Sequence, residues 1–352
     1  MTSLLPSASG AWLDDETRRL LAFGARAALP AGGAAYLDDD GRPVPALGVQ
    51  TWITARTAHS YSLGALLGVP GSAEVADAAL AGLTGPLRDA AHGGWFHARD
   101  AAGTPDIAAG KTCYDHAFVM LAAASATIAG RPGAATLLDE ATAVYLDRFW
   151  DDDAGRPVDA WDSSFTTLDS YRGLNATMHS VEAMLTVADA VPEADAAAWR
   201  ARAGRAASFV VDLARGNDAR LPEHFGPDWA PDLELNRDRP GDQFKPYGAT
   251  PGHGLEWARL LLHLEAAAPR RPATWPRRPS RCSTVPSRTD GPSTARRASS
   301  TPPTGPGCPW SARACTGWCA RRSPRPPPCM PARATRGSRP GTRPGGTTPT
   351  AT

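Results

Sequence analysis

The sequence predicts an all-α protein, a toroid of helical hairpins whose loops build a polar site. Three observations predict it. Apolar residues recur at helical spacing in separate segments across residues 1–268. Those segments are rich in alanine, the residue with the highest intrinsic helix propensity. Sustained alternation of apolar and polar residues, the mark of a half-buried strand, is scarce.

In chain order the helical segments are Trp12–Ala28, His59–Leu67, Glu74–Leu87, Asp115–Ala129, Ala134–Phe149, Met178–Val191, Asp195–Leu213 and Gly252–Ala267. Asp115 reads as the N-cap of the fourth. Thr250-Pro251 reads as a cap with proline at the first helical position of the eighth. The intervening segments are rich in Gly, Asp and Pro with aromatics among them: GGWFHARD, DRFWDDDAGRPVDAWDSSF and RLPEHFGPDWAPDLELNRDRPGDQFKPYGA. Long loops of that composition usually carry function. No heptad run or tight 34-residue repeat is visible, so the helix pairs suit a toroid better than a regular solenoid.

The 352-residue chain joins two compositions near Ala268. Residues 1–268 carry 21 basic and 35 acidic side chains and one cysteine, Cys113. From Pro269 to Thr352 there are 18 of the 34 prolines, 16 arginines, a single acid (Asp290) and the other five cysteines. That tail contains no Leu, Ile, Phe, Tyr or His and cannot form a core. Its other readings are a basic Pro-rich arm for acidic partners, or a site made by Cys308, Cys315, Cys319 and Cys329. The acidic body argues against nucleic acid as the main partner. No stretch approaches the roughly 18–20 apolar residues that span a bilayer. The first residues lack a secretory signal, and one cysteine in the body gives no disulfide framework. The expectation is a cytoplasmic protein, monomer or homodimer, that binds neither membrane nor nucleic acid.

Four clusters could carry chemistry: Thr54-Ala55-Arg56 with His59 and Tyr61; Lys111 to Phe118; Tyr171 to His179 with Glu182; and Phe244 to Trp257. Asn175, His179 and Glu182 share a helix face by spacing, as do His253, Glu256 and Trp257. A histidine with a carboxylate at helical spacing suits proton transfer near neutral pH, because the carboxylate fixes the tautomer and raises basicity. His253 falls in a first helical turn, where the helix dipole disfavours imidazolium while Glu256 favours it. Each feature also has a structural reading: a satisfied His–Glu pair, an ion-paired Arg56, a core Trp257. Aromatic faces beside Asp, Asn and Arg also suit sugars, whose hydroxyls need many donors and acceptors. No zinc spacing, phosphate loop or Gly-x-Ser-x-Gly elbow occurs in the body, so neither cofactor nor metal is expected. The residues by themselves reach a helical protein with a His- and carboxylate-lined polar site.

The segments TARTAHSYSLGALLG, YDHAFVMLAAA, YRGLNATMHSVEAML and PYGATPGHGLEWARLLL, in this order, resemble the N-acylglucosamine 2-epimerase superfamily. They are most similar to its aldose–ketose isomerase branch, the mannose and sulfoquinovose isomerases. The resemblance runs from about Trp12 to Ala268. It implies an (α/α)6 barrel of twelve helices with a small-molecule sugar bound at the loop-rich end. It also implies proton movement next to the carbonyl carbon by histidines, without a required metal. Carried over by motif, His253 is a catalytic histidine and Glu256 its supporting carboxylate. Arg56, Tyr114, Asn175 and His179 fall at sugar-contacting positions, and Trp257 is placed with them. Arg56 suits the oxygen that becomes negative in an enediol. Thr177 departs from the asparagine of many relatives.

The implied reaction is aldose–ketose isomerisation, D-mannose to D-fructose first, through a cis-enediol. The alternatives are an N-acylglucosamine-type 2-epimerase, an inactive truncated barrel with at most weak sugar binding, and a glycoside hydrolase using Asp115 with Glu223 or Glu256. Relatives continue past PGHGLEW with about four more helices and a second catalytic histidine. Here residues 269–352 replace them, and the expectation is a frameshifted passage of a GC-rich gene. One nucleotide offset permits amphipathic helical readings at Pro279–Asp290, Ser299–Gly305 and Ala314–Arg322. The domain expectation is residues 1–268 as a barrel lacking its last helices, then a disordered tail.

Overall fold

A computed structural model describes residues 10–267. The stretch from Pro269 to Thr352, with the frameshift, disorder and cysteine-site readings attached to it, lies outside the described residues. Eight α-helices fall within them: α1 (Gly10–Gly24), α2 (Thr51–Leu66), α3 (Ser72–Thr84), α4 (Cys113–Ile128), α5 (Ala134–Arg148), α6 (Leu174–Ala190), α7 (Glu193–Gly216) and α8 (Pro251–Ala267). Each overlaps a helix read from the sequence. The largest boundary difference is in α2, which begins at Thr51 rather than His59. Its early turns carry Thr51, Thr54 and Arg56, polar residues that interrupt the apolar period the sequence reading followed.

Helices α2, α4, α6 and α8 form a row of neighbours, and α3, α5 and α7 each pack as the hairpin partner of the preceding member. The central helices show why. In α4 the residues from Ala117 to Ala126 are buried in succession, and α6 is buried on most of its surface. A helix apolar nearly all round must be enclosed, and alanine lets the neighbours come close. The partner helices bury one stripe each, as in α7 with Ala196, Trp199, Ala203, Ala206, Ala207 and Val210.

Eight two-residue strands escaped the sequence reading, because two residues are too few for an alternating pattern. They are β1 (Val49–Gln50), β2 (Ala98–Arg99), β3 (Lys111–Thr112), β4 (Trp150–Asp151), β5 (Arg156–Pro157), β6 (Ala160–Trp161), β7 (Arg172–Gly173) and β8 (His224–Phe225). Six repeat one device. A strand just before α2, α4 or α6 pairs antiparallel with a strand in the loop that follows the hairpin: β1 with β2, β3 with β6, β7 with β8. Each long loop is thereby stitched to the N-terminal end of its own row helix. Gly48 and Gly110 enter β1 and β3 at φ +68° and +67°, and a Cβ there would collide with the Arg99 or Trp161 carbonyl oxygen.

The start of α4 corrects the sequence reading. Thr112, not Asp115, is the N-cap: its hydroxyl accepts the Asp115 N–H at 3.1 Å and donates to Asp115 Oδ2 at 2.6 Å. Pro251 does open α8 as expected. Among the described residues no helix is long and apolar enough to cross a membrane.

Candidate active site

The stitched loops gather at the N-terminal ends of the row helices, and the first two turns of those helices supply the site. Tyr114 stands in the first turn of α4, Asn175 in the first turn of α6 and His253 in the first turn of α8. Arg56 and His179 lie one turn deeper in α2 and α6. Tyr114 packs edge-on against Trp52 (6.2 Å between centroids), Phe118 (4.9 Å) and His179 (5.3 Å). Phe244 closes the same aromatic wall against Trp52 at 6.0 Å and Tyr114 at 5.7 Å. Its loop is held down by His224 Nε2 donating to the Pro246 carbonyl at 2.8 Å and Asn236 Nδ2 donating to the Lys245 carbonyl at 2.7 Å.

Arg56 lies between aromatic faces, its guanidinium 4.2 Å from the Phe118 centroid and 5.5 Å from that of Trp52. It has no carboxylate partner among the described residues, and its Nε is buried without an acceptor. The structure thus replaces the ion-paired reading of Arg56 with an unneutralised cation. That charge acts on Tyr114 and on His179.

His179 and His253 each have Nδ1 held by a carboxylate. His179 Nδ1 meets Glu182 Oε2 at 3.1 Å, as the spacing predicted, and Glu182 Oε1 takes a 2.6 Å hydrogen bond from Arg259 of α8. Burial lowers the His179 pKa, and Glu182 offsets this only in part. Glu182 is disfavoured by its own burial, but the two hydrogen bonds win and bring it down to about 2. For His253 the expected partner needs correction. Its Nδ1 meets Glu223 Oε2 at 2.9 Å, from the residue before β8, and not Glu256. Glu256 acts on His253 by charge, and on Tyr114 and His179 too, so the four lie near one another. Burial pulls the His253 pKa down, but Glu223 and then Glu256 outweigh it and leave it raised. Burial pushes the Tyr114 hydroxyl up to about 12, so it remains protonated at neutral pH. Asn175 is half-buried and makes no side-chain hydrogen bond among the described residues.

Trp257 does not join them. It is 1% exposed, packed in the core, with its indole Nε1 buried and unpartnered among the described residues. The i, i+4 spacing from His253 gave the right face and the wrong depth, because the next turn of α8 runs down into the helix row. The sugar-contact assignment of Trp257 is therefore replaced by a packing role.

Other sequence candidates prove structural. His59 Nδ1 bonds Ser125 Oγ at 2.6 Å, and the Tyr61 hydroxyl donates to the Leu21 carbonyl. Lys111, fully buried, donates to Asp89 at 2.8 Å. His116 has both ring nitrogens engaged, by the Thr112 carbonyl and the Trp95 N–H, and burial takes it down to about 4. Asp115, fully buried, has Oδ2 bonded by Thr112 and by His97 Nδ1 at 2.8 Å, while Oδ1 is buried without a partner among the described residues. A hydrolytic acid pair of Asp115 with Glu223 would thus consist of two buried carboxylates that each hold a histidine Nδ1. The sequence reading missed Trp52 and the role of Glu223. Nothing periodic marks Glu223, since it reaches its partner across 30 residues from the loop position just before a strand of two. Among the described residues no group of three or more His, Cys, Asp or Glu could hold a metal ion.

Comparison with known proteins gives a consistent result. The family described as N-acylglucosamine 2-epimerase (GlcNAc 2-epimerase) matches residues 32–278. A D-mannose isomerase of Thermobifida fusca is 50% identical over 270 residues, covering 76% of this chain and 65% of that protein. One from Pseudomonas cannabina pv. alisalensis is 43% identical over 258 residues, covering 73% and 60%. The chain thus spans somewhat under two thirds of the length of these curated relatives. A D-mannose isomerase crystal structure superposes with TM-score 0.69 at 27% identity, over 76% of this chain and 68% of that one. A cellobiose 2-epimerase from Spirochaeta thermophila shares the fold, with TM-score 0.60 at 24% identity over 74% of this chain and 65% of that one.

Proposed function

The chain belongs to the N-acylglucosamine 2-epimerase family, and from that premise we propose that it is a sugar isomerase interconverting an aldose and a ketose, D-mannose and D-fructose first. The observation that carries this reading is an unneutralised Arg56 that acts on His179, with two carboxylate-anchored histidines near the N-terminal ends of the neighbouring helices α6 and α8. Moving a proton between C2 and C1 of an open-chain aldose needs a base near neutral pH and a cation for the enediolate oxygen. His253 is the base: with Nδ1–H on Glu223 its Nε2 lone pair is free to take the C2 proton. Arg56 faces the oxygen that gains charge, where surrounding rings exclude water and strengthen the interaction. Return of the proton to C1, with transfer of the O2 hydroxyl proton to O1, gives the ketose; return to C2 from the other face would give the epimer.

Asn175, His179 and the Tyr114 hydroxyl hold sugar oxygens in this reading, and the Glu256 charge favours the imidazolium formed during transfer. The names of the two curated relatives support mannose as the substrate. Residues 1–268 are proposed as the barrel-forming, sugar-binding body and residues 269–352 as a separate tail. Product analysis after incubation with D-mannose tests the assignment. Fructose supports it. A C2 epimer would redirect it to epimerisation, and sugar binding without turnover would leave the chain a binding protein.

A further inference from the structure

We propose that Glu223 is the positioning residue of the site: it fixes the tautomer of His253 and sets where α8 begins relative to α6. This rests on the reading of His253 as the proton-transfer group, but its chemistry can be tested without turnover. Glu223 is 5% exposed, and a carboxylate buried that far costs free energy unless its lone pairs are used. Both oxygens are used on the first turn of α8. Oε2 holds His253 Nδ1 at 2.9 Å, and Oε1 accepts the Thr250 N–H at 3.3 Å, just before the helix starts. Its main chain is committed to the other helix: the Glu223 carbonyl accepts the Leu174 N–H at 3.0 Å where α6 starts, and β8 follows at once, paired with β7. One residue thus ties the turn bearing Asn175 to the turn bearing His253.

The next residue strengthens the clamp. His224 accepts from the Tyr171 hydroxyl at Nδ1 (2.8 Å) and donates from Nε2 to the Pro246 carbonyl (2.8 Å). With both nitrogens engaged the ring is held in place, anchoring the segment that carries Phe244. Glu223 and His224 together therefore hold Phe244 and His253, before and at the start of α8.

The chemical consequence for His253 follows from which nitrogen is occupied. A ring whose Nδ1–H donates to a carboxylate carries its lone pair on Nε2, and the same carboxylate stabilises the cation once Nε2 is protonated. The charged groups acting on His253 are Glu223 and, on its own helix, Glu256. Only Glu223 makes the directional bond. A residue that merely capped α8 would need the Thr250 contact and would leave the imidazole untouched.

The test is a titration of the full chain with 15N-labelled histidine, followed by nitrogen chemical shifts and assigned through His253→Gln. In the native protein His253 should show the Nδ1–H tautomer and a midpoint above the ordinary imidazole value. Glu223→Gln should lower that midpoint by about one pH unit or more and mix the tautomers. Glu256→Gln should lower it less and leave the tautomer alone. Unchanged signals of His116 and His224 report that each variant is folded. An Nε2–H tautomer in the native protein would overturn the proposal even if Glu223→Gln failed to fold. So would a Glu223→Gln midpoint equal to the native one. Neither result depends on whether the chain isomerises mannose, which product analysis decides separately.

Discussion

Replacing Glu182 by Gln should weaken the fold in a way that pH can switch off. Glu182 joins His179 on its own helix to Arg259 of α8, with hydrogen bonds of 3.1 and 2.6 Å, and lies mostly out of solvent. Its carboxyl falls from 4.5 to about 2 on folding. At 1.36 kcal/mol per pH unit that is roughly 3 kcal/mol. His179, however, is held below its ordinary range by burial, so it is neutral at pH 7 and adds no charge attraction there. Arg259 is also half exposed and partly screened. We therefore expect a loss of about 2 kcal/mol at pH 7, read from urea unfolding of the native chain and the variant. The sign follows from a depressed folded-state pKa. The stabilisation is complete above the unfolded value of 4.5 and fades as pH falls towards 2. Between pH 7 and pH 3.5 the difference between the proteins should shrink by roughly 1 kcal/mol. A difference that stays constant across that range would refute the assignment of the stabilisation to an ionised Glu182.

Two further outcomes concern residues that sequence reasoning placed near the site. Lys111→Met removes the cation from Asp89, itself 3% exposed and held down to about 2; urea titration should show a loss of about 3–5 kcal/mol. Trp257→Phe should change stability by less than about 1.5 kcal/mol, since the lost indole N–H has no acceptor among the described residues, whereas Trp257→Ala should cost about 3–5 kcal/mol. A Trp257→Phe variant of native stability but with mannose binding weakened tenfold would restore Trp257 to the site.

The helices were legible because alanine-rich amphipathic segments announce themselves over many residues, and every row helix has a counterpart in the sequence reading. The stitching strands were not, since β1 or β7 spans two residues and has meaning only through a partner tens of residues away. The same contrast runs through the site. His179 and Glu182 lie on one helix, so spacing alone paired them. His253 has a carboxylate at equivalent spacing, Glu256, yet bonds Glu223 from another element. Spacing ranks neighbours within a helix; it carries no information about a loop returning to that helix's first turn. Trp257 shows a related limit, for a helical period gives the direction of a side chain and not its depth.

Hydrogen exchange at C2 of D-mannose in deuterated water follows the proposed proton transfer itself. The native chain should place solvent deuterium at the carbon next to the carbonyl as fructose forms. His253→Gln, folded by circular dichroism, should lose this exchange together with fructose formation. Fructose formed at native rates by His253→Gln would rule out His253 as the base, and a native chain that neither exchanges the C2 proton nor forms fructose would rule out the isomerase assignment.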